Sequence, residues 1–248
     1  MNRFEGKVAL ITGASRGIGL AVAERIVAEG GSVVITARKQ EALDAAVAGL
    51  GSRALGVAGR ADDPDHRAAV YALIAERFGR LDHLVNNAGI NPAYGPLADV
   101  GVDVMRKTFE VNVIASLEWA RHSVAAGLLG TGASIVNIAS IAGLAAAPGI
   151  AFYGVTKGAL VTLTLQLAAE LAPGIRVNAV APAVIKTDFA RALYENDEAA
   201  AGAQYPLKRL GTVEDVSGPV AFLLSEDAAW ITGQTIVIDG GASMGSIL

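Results

Sequence analysis

The sequence predicts an α/β protein built as a doubly wound parallel sheet of about seven strands, with helices on both faces. Three observations carry that expectation. Short apolar runs rich in Val, Ile and Thr alternate with stretches of helical periodicity along the whole chain. No linker, charge run or repeat beyond this alternation divides the 248 residues, so residues 1–248 are expected to form one domain. The composition is 52% hydrophobic but only 18% charged, the balance of a sheet covered on both sides.

Residues 8–12 (V-A-L-I-T) read as the first strand. A glycine turn follows, Gly13-Ala14-Ser15-Arg16-Gly17-Ile18-Gly19, and then a helical pattern over 20–29. Strand, glycine turn and helix in that order bring backbone N–H groups and a helix N-terminus to a phosphate. The spacing is G-x-x-x-G-x-G rather than the common G-x-G-x-x-G, and such a turn can also be purely structural. Residues 32–37 form the second strand. In a Rossmann unit its end meets the adenosine ribose, where an acid favours NAD and an Arg accommodates the 2′-phosphate of NADP. Here the end is Ala37-Arg38-Lys39 without an acid, and Arg16 adds a second positive charge. The expectation is NADP(H), with NAD(H) as the alternative; the bland reading is a solvated pair of surface bases.

A helix over 41–50 and a strand over 54–57 come next. The helix over 64–78 has Asp63 as its N-cap and Gly79 beyond its end. The strand over 83–86 runs into Asn87-Ala88-Gly89. Residues 103–120 look like one helix, with Asn112 among apolar neighbours. An Asn there is unfavourable unless its side chain has partners, so Asn112 is either a kink or capping residue or part of a site. The strand over 134–138 leaves Ser140 just past its C-terminal end, where ligands bind in an open parallel sheet. The longest helix covers 153–172, and a strand over 176–181 ends at Pro182. Residues 188–205 lack a clear strand and read as a mobile cover over the site or a plain surface helix. Thr212-x-x-Asp215 has the form of a capping box for the helix to Leu224. Residues 235–238 make the last strand.

The chemistry concentrates between Ser140 and Lys157. Tyr153 and Lys157 stand four apart, on one face of a helix. An ammonium beside a phenol stabilises phenolate and lowers its pKa from about 10, which lets the phenol act as a general acid or base. Ser140 can donate to a substrate oxygen as charge builds on it, an effect of about 3 kcal/mol. Taken alone, the pair is equally readable as a helix-surface contact.

Composition narrows the remaining classes. The chain has no cysteine, which rules out disulfides, thiolate catalysis and thiolate zinc sites and suits a reducing compartment. The net charge is −4 and no basic run appears, so nothing points to nucleic acid. No basic n-region with an apolar h-region opens the sequence, and Asn137, Ser140 and Pro148 interrupt the Ala-rich stretches. A cytoplasmic protein without a membrane segment is expected. His66, His83 and His122 are scattered without ligand spacing, so no metal site is expected. Trp119 is a core residue or a subunit contact.

Over its whole length the chain resembles the short-chain dehydrogenase/reductase family in its common form. Thr12-Gly-x-x-x-Gly-x-Gly19 looks like that family's cofactor motif, and Asn86-Asn-Ala-Gly89 like its sheet-stabilising motif. Asn112, Ser140, Tyr153 and Lys157 look like its catalytic tetrad, with Ser and Tyr thirteen apart. The resemblance implies that Tyr153 donates the proton in reduction and accepts it in oxidation. It implies that Lys157 lowers the Tyr153 pKa and binds the nicotinamide ribose, that Ser140 polarises the carbonyl, and that Asn112 holds a water linking Lys157 to solvent. Gly13, Ser15, Arg16, Gly17, Ile18, Gly19, Asn87, Ala88 and Gly89 would surround the dinucleotide. Pro182, Ile185 and Thr187 would reach the carboxamide. A homotetramer is also implied. Two positions depart from the family pattern. Pro182 is followed by Ala183 rather than Gly, and Arg60 stands where an acid or Asn meets the adenine, with Asp62 two residues on as a replacement.

The pattern is similar to 3-oxoacyl-acyl-carrier-protein reductases. Yet residues 124–133 and 171–174 carry no base to dock an acidic carrier. A free ketone or secondary alcohol, or a thioester-linked acyl chain, fits better as substrate. Residues 91–97, 144–150 and 188–205 are expected to line its pocket. The rival of another class is a non-catalytic dinucleotide sensor, which has no need of an intact tetrad. Dehydratases and epimerases of the extended family carry a longer C-terminal substrate region than this sequence has.

Overall fold

The structure, a computed structural model, describes residues 2–244. Met1 and residues 245–248, the two ends of the expected domain, lie outside the described residues. Its strands are β1 (Val8–Ile11), β2 (Ser32–Ala37), β3 (Ala54–Ala58), β4 (Leu81–Asn86), β5 (Leu129–Ile138), β6 (Ile175–Pro182) and β7 (Thr235–Ile238). They form one parallel sheet in the order β3-β2-β1-β4-β5-β6-β7. The helices are α1 (Gly17–Ala28), α2 (Gln40–Leu50), α3 (Pro64–Arg77), α4 (Val102–Phe109), α5 (Ala115–Ala125), α6 (Ala151–Leu171), α7 (Glu198–Ala203) and α8 (Val213–Leu224).

Alternation along each strand explains the two helical layers. Successive side chains point to opposite faces. Ala9, Ile11, Val33 and Ile35 enter one apolar cluster with Val22 of α1, Leu43 of α2 and Val216 of α8. Val8, Leu10 and Val34 enter a second cluster with Ile74 of α3, Trp119 of α5 and Leu167 of α6. The doubly wound expectation holds. So do the local signals: Asp63 accepts from the N–H of Asp65 at 2.9 Å, and Asp215 accepts from the N–H of Thr212 at 2.7 Å. Each satisfies a donor at a helix start that has no partner within the helix.

Order along the sheet fixes where a ligand sits. The chain places β2 and β3 on one side of β1, then crosses to place β4 on the other. The C-terminal ends of β1 and β4 therefore diverge, and their turns open a crevice.

Two elements differ from the sequence expectation. The single helix over 103–120 is α4, one π-helical turn (Glu110–Ile114) and then α5. The inserted residue of a π-turn turns Asn112 inward, so the kink reading holds: it marks a bulge and is fully buried. Strand β5 starts at Leu129, five residues early, because the exposed Gly130, Thr131 and Gly132 read as a turn. Residues 188–205 hold only a short 3-10 turn (Arg191–Leu193) and α7. Trp119 is core: it is 1% exposed and its Nε1 donates to the Ala61 carbonyl at 3.0 Å. Among the described residues no helix is long and apolar enough to cross a membrane.

Candidate active site

A cleft of about 1010 Å³ runs across the C-terminal ends of β1, β2, β4, β5 and β6. That is at the top of the roughly 300–1,000 Å³ typical of small-molecule sites. Of the residues expected from sequence, Gly13, Ser15, Arg16, Gly17, Ile18, Arg38, Asp62, Asn87, Ala88, Gly89, Ser140, Tyr153, Lys157, Pro182, Ile185 and Thr187 all line it. Gly19 and Asn112 do not; they lie behind the wall.

Close packing accounts for the glycine turn. A Cβ on Gly13 would meet the Ala88 Cα at 2.9 Å, and its φ of +66° favours glycine. A Cβ on Gly19 would meet the Asn87 Nδ2 at 2.5 Å. Asn87 Nδ2 donates to the carbonyls of Thr12 and Gly13, each at 2.9 Å. The Thr12 hydroxyl accepts from the N–H groups of Asn87 at 3.0 Å and Ala88 at 3.1 Å. The turn after β1 and the turn after β4 are thus laced together. Gly19 braces the crevice from behind its wall, and Asn87 braces it while also lining it.

Asn112 holds a third loop. Its Oδ1 accepts from the Ile90 N–H at 2.8 Å, and its Nδ2 donates to the Ile90 carbonyl at 2.9 Å and to Thr156 Oγ1 at 3.0 Å. An amide that matches both backbone groups of one residue substitutes for a strand neighbour, and Thr156 ties the arrangement to α6. A Cβ on Gly89 would stand 3.5 Å from both Asn112 Oδ1 and Lys157 Nζ. A side chain at residue 89 would thus stand in contact with both groups.

Ser140 caps the short turn Ile141–Gly143, its Oγ accepting from the Ala142 N–H at 3.2 Å. Its Oγ also donates to the Pro182 carbonyl at 3.5 Å, and its hydroxyl favours the ionised form of the nearby Tyr153 phenol. Lys157 is buried and lies 5.5 Å from the centre of the Tyr153 ring, while Nζ donates to the Ile138 carbonyl at 2.7 Å. The two side chains share one helix face as the spacing predicts.

The electrostatics correct the sequence expectation. The ammonium lies over the ring, 5.5 Å from its centre, and burial dominates. Burial pushes the Tyr153 phenol above its ordinary value, and the Ser140 hydroxyl offsets only part of that. Burial also lowers Lys157 to about 8. The phenol is therefore held protonated at neutral pH in the chain without a dinucleotide, which is the proton-donor form.

The end of the cleft beside Asp62 is built from charges. Asp62 lines the cleft and pairs with Arg60, at 2.9 Å, and with Lys107. Arg60 first, and Lys107 after it, hold the Asp62 carboxyl well below the usual range. Lys107 was invisible in the sequence: it lies 45 positions from its partner, in no motif. Ala183 needs no glycine, because Lys208 is the only non-glycine residue with positive φ among the described residues. Its N–H instead donates to the Ile238 carbonyl at 2.9 Å. Segment 184–187 is pinned by the bridge of Ile185 to Gly211. The histidines have structural partners: His83 bonds Ser134 Oγ at 2.8 Å, and His66 packs edge-on against Trp119.

A nicotinamide dinucleotide fits these residues. The glycine turn leaves backbone N–H groups uncovered at the start of α1, and bases without an acid follow β2. A buried amine and a protonated phenol stand farther along the same cleft.

The chain has relatives along nearly its whole length. A family model described as enoyl-(acyl carrier protein) reductase matches residues 13–243. Dehydrogenase/reductase SDR family member 4 of Caenorhabditis elegans is 43% identical, covering 96% of each chain. Tropinone reductase-like 3 of Erythroxylum coca is 42% identical over 96% of this chain and 94% of its own. The crystal structure of a short-chain glucose/ribitol dehydrogenase from Brucella melitensis superposes with a TM-score of 0.93 at 38% identity, covering 98% of this chain and 99% of that one.

Proposed function

Since this chain belongs to the short-chain dehydrogenase/reductase family, and so is an oxidoreductase that interconverts carbonyl and alcohol with an NAD(P) cofactor, we propose that it is an NADP(H)-dependent ketone reductase with Tyr153 as proton donor. The observation that carries this reading is the grouping of Ser140, Tyr153 and Lys157 on one wall of the cleft, with Lys157 Nζ 5.5 Å from the centre of the Tyr153 ring. Ser140 and Tyr153 both line the cleft, and a carbonyl oxygen bound between them would accept a hydrogen bond from each. The bound nicotinamide supplies the hydride. Tyr153 gives its phenolic proton to the oxygen as charge develops there. Lys157 stabilises the resulting phenolate, and Asn112 and Gly89 frame the niche through which a water returns the proton. In the alcohol-to-ketone direction the same groups run in reverse.

The substrate end is mostly apolar. Ala142, Ala145, Ala147, Ile150, Phe189 and Leu193 line it, with Asn91 and Tyr94 as polar members and Lys186 and Asp188 on the neighbouring wall. A ketone uncharged around its carbonyl, including a 3-oxoacyl group, suits it, without dedicated docking of an acyl carrier. We take residues 1–248 as one catalytic domain of a cytoplasmic homotetramer. The exposed Trp230, Leu165 and Val237 beside the β7 edge are surfaces a partner would cover. A solution mass of a single chain would refute the tetramer.

NADP(H) preference rests on Arg16, Arg38 and Lys39. Arg38→Asp is expected to move the ratio of kcat/KM values toward NAD(H), measured from nicotinamide absorbance over a panel of ketones and alcohols. An unchanged ratio rejects the 2′-phosphate assignment, and a panel without any turnover rejects the reductase reading.

A further inference from the structure

Arg16 faces two partners. It lines the cleft with Arg38 and Lys39, where the proposed function puts the 2′-phosphate of NADP(H). In the structure, however, its Nη1 donates to Asp188 Oδ2 at 3.1 Å, across 172 positions of sequence. The other carboxylate oxygen of Asp188 accepts from Arg191. Alongside the ion pair the two segments touch: a Cβ on Gly17 would lie 3.4 Å from Thr187 Cγ2. The glycine turn and the start of the 188–205 segment therefore meet over the cleft at two neighbouring pairs, 16 with 188 and 17 with 187.

The Arg16 and Asp188 side chains are 67% and 47% exposed. Water screens such a pair, so it exchanges readily for a stronger partner. A phosphate monoester is one: it carries close to two negative charges and accepts from a guanidinium in bidentate fashion. Asp188 also puts a negative charge beside the position such a phosphate would take.

We propose that Asp188 is a specificity-determining residue that competes with the cofactor's 2′-phosphate for Arg16. NADP(H) must draw Arg16 away from Asp188, which loosens the covering segment at its first residue. NAD(H) makes no such demand and binds with the contact intact. Asp188 therefore narrows the preference for NADP(H) that Arg16 and Arg38 create. This rests on the reading of those two residues as the 2′-phosphate site.

The test is a mutant cycle read by binding, not by turnover. Dissociation constants for NADPH and NADH are measured by cofactor fluorescence with wild type, Asp188→Asn, Arg16→Gln and the double variant. Melting curves check that each is folded. Asp188→Asn is expected to raise the NADH-to-NADPH ratio of dissociation constants about 2- to 5-fold, the scale of an exposed ion pair. In the Arg16→Gln background the same substitution is expected to leave the ratio unchanged. The proposal is overturned if Asp188→Asn alone does not move the ratio. It is equally overturned if the rise persists without Arg16, which would mean a general charge effect. The wild-type ratio tests the cofactor reading by itself: a preference for NADH sinks that reading, while the Asp188 proposal is judged only on the change.

Discussion

Tyr153→Phe is expected to slow ketone reduction by about 10²- to 10⁴-fold, the usual contribution of a positioned general acid. The substitution removes one oxygen and nothing else. The ring keeps its place beside Phe189, 6.1 Å away between centres, and beneath Lys157. The hydroxyl lies on the cleft wall, and Ser140 keeps its hydrogen bonds to the Ala142 N–H and the Pro182 carbonyl without it. Cofactor affinity and melting temperature should therefore stay near wild type. The check is a pair of measurements, kcat with a ketone and the dissociation constant of NADPH. Retained turnover removes Tyr153 from the proton-transfer role.

Lys157→Met is expected to lower turnover by about 10²- to 10³-fold, as for loss of one preorganised electrostatic donor. Stability should behave differently. A buried ammonium costs solvation free energy, and the depressed pKa of Lys157, about 8, records that cost. Met fills similar volume without the charge and gives up one hydrogen bond, to the Ile138 carbonyl. The melting temperature should hold or rise while activity falls. A Lys157 that served only packing would give the opposite pattern, with lower stability and intact turnover. Cofactor affinity should fall in this variant and not in Tyr153→Phe, because only Lys157 is assigned to the nicotinamide ribose.

Much of this was legible in the sequence because local chemistry fixed it. Residues 32–37 and 235–238 are flanked by glycine or helix signals, and β2 and β7 match them residue for residue. Asp63 and the Thr212-Asp215 pair announced their helices through backbone N–H groups that need acceptors. The glycine turn was readable as a site, but not the reason for each glycine. Gly13 and Gly19 answer to Ala88 and Asn87, which lie far away in sequence and near in space. The π-turn at Glu110–Ile114 left one trace, an Asn where a helix should not want one. Lys107 and Asp188 left none, since each meets its partner only through the fold. The sign of the Tyr153 shift was also beyond reach. Spacing puts an amine beside a phenol, but burial decides which proton is held, and burial belongs to the folded chain.

The central claim is that a protonated Tyr153, supported by a charged Lys157, delivers the proton in reduction. The most direct measurement is the pH dependence of kcat/KM for a ketone with NADPH saturating. Both groups are in their working form below the Lys157 pKa, and Lys157 loses its proton first as pH rises. The account predicts a plateau through neutral pH and a falling alkaline limb, absent in Lys157→Met. A rate that climbs from neutral to alkaline pH would mean that the reductive step uses the deprotonated phenol, and would contradict it.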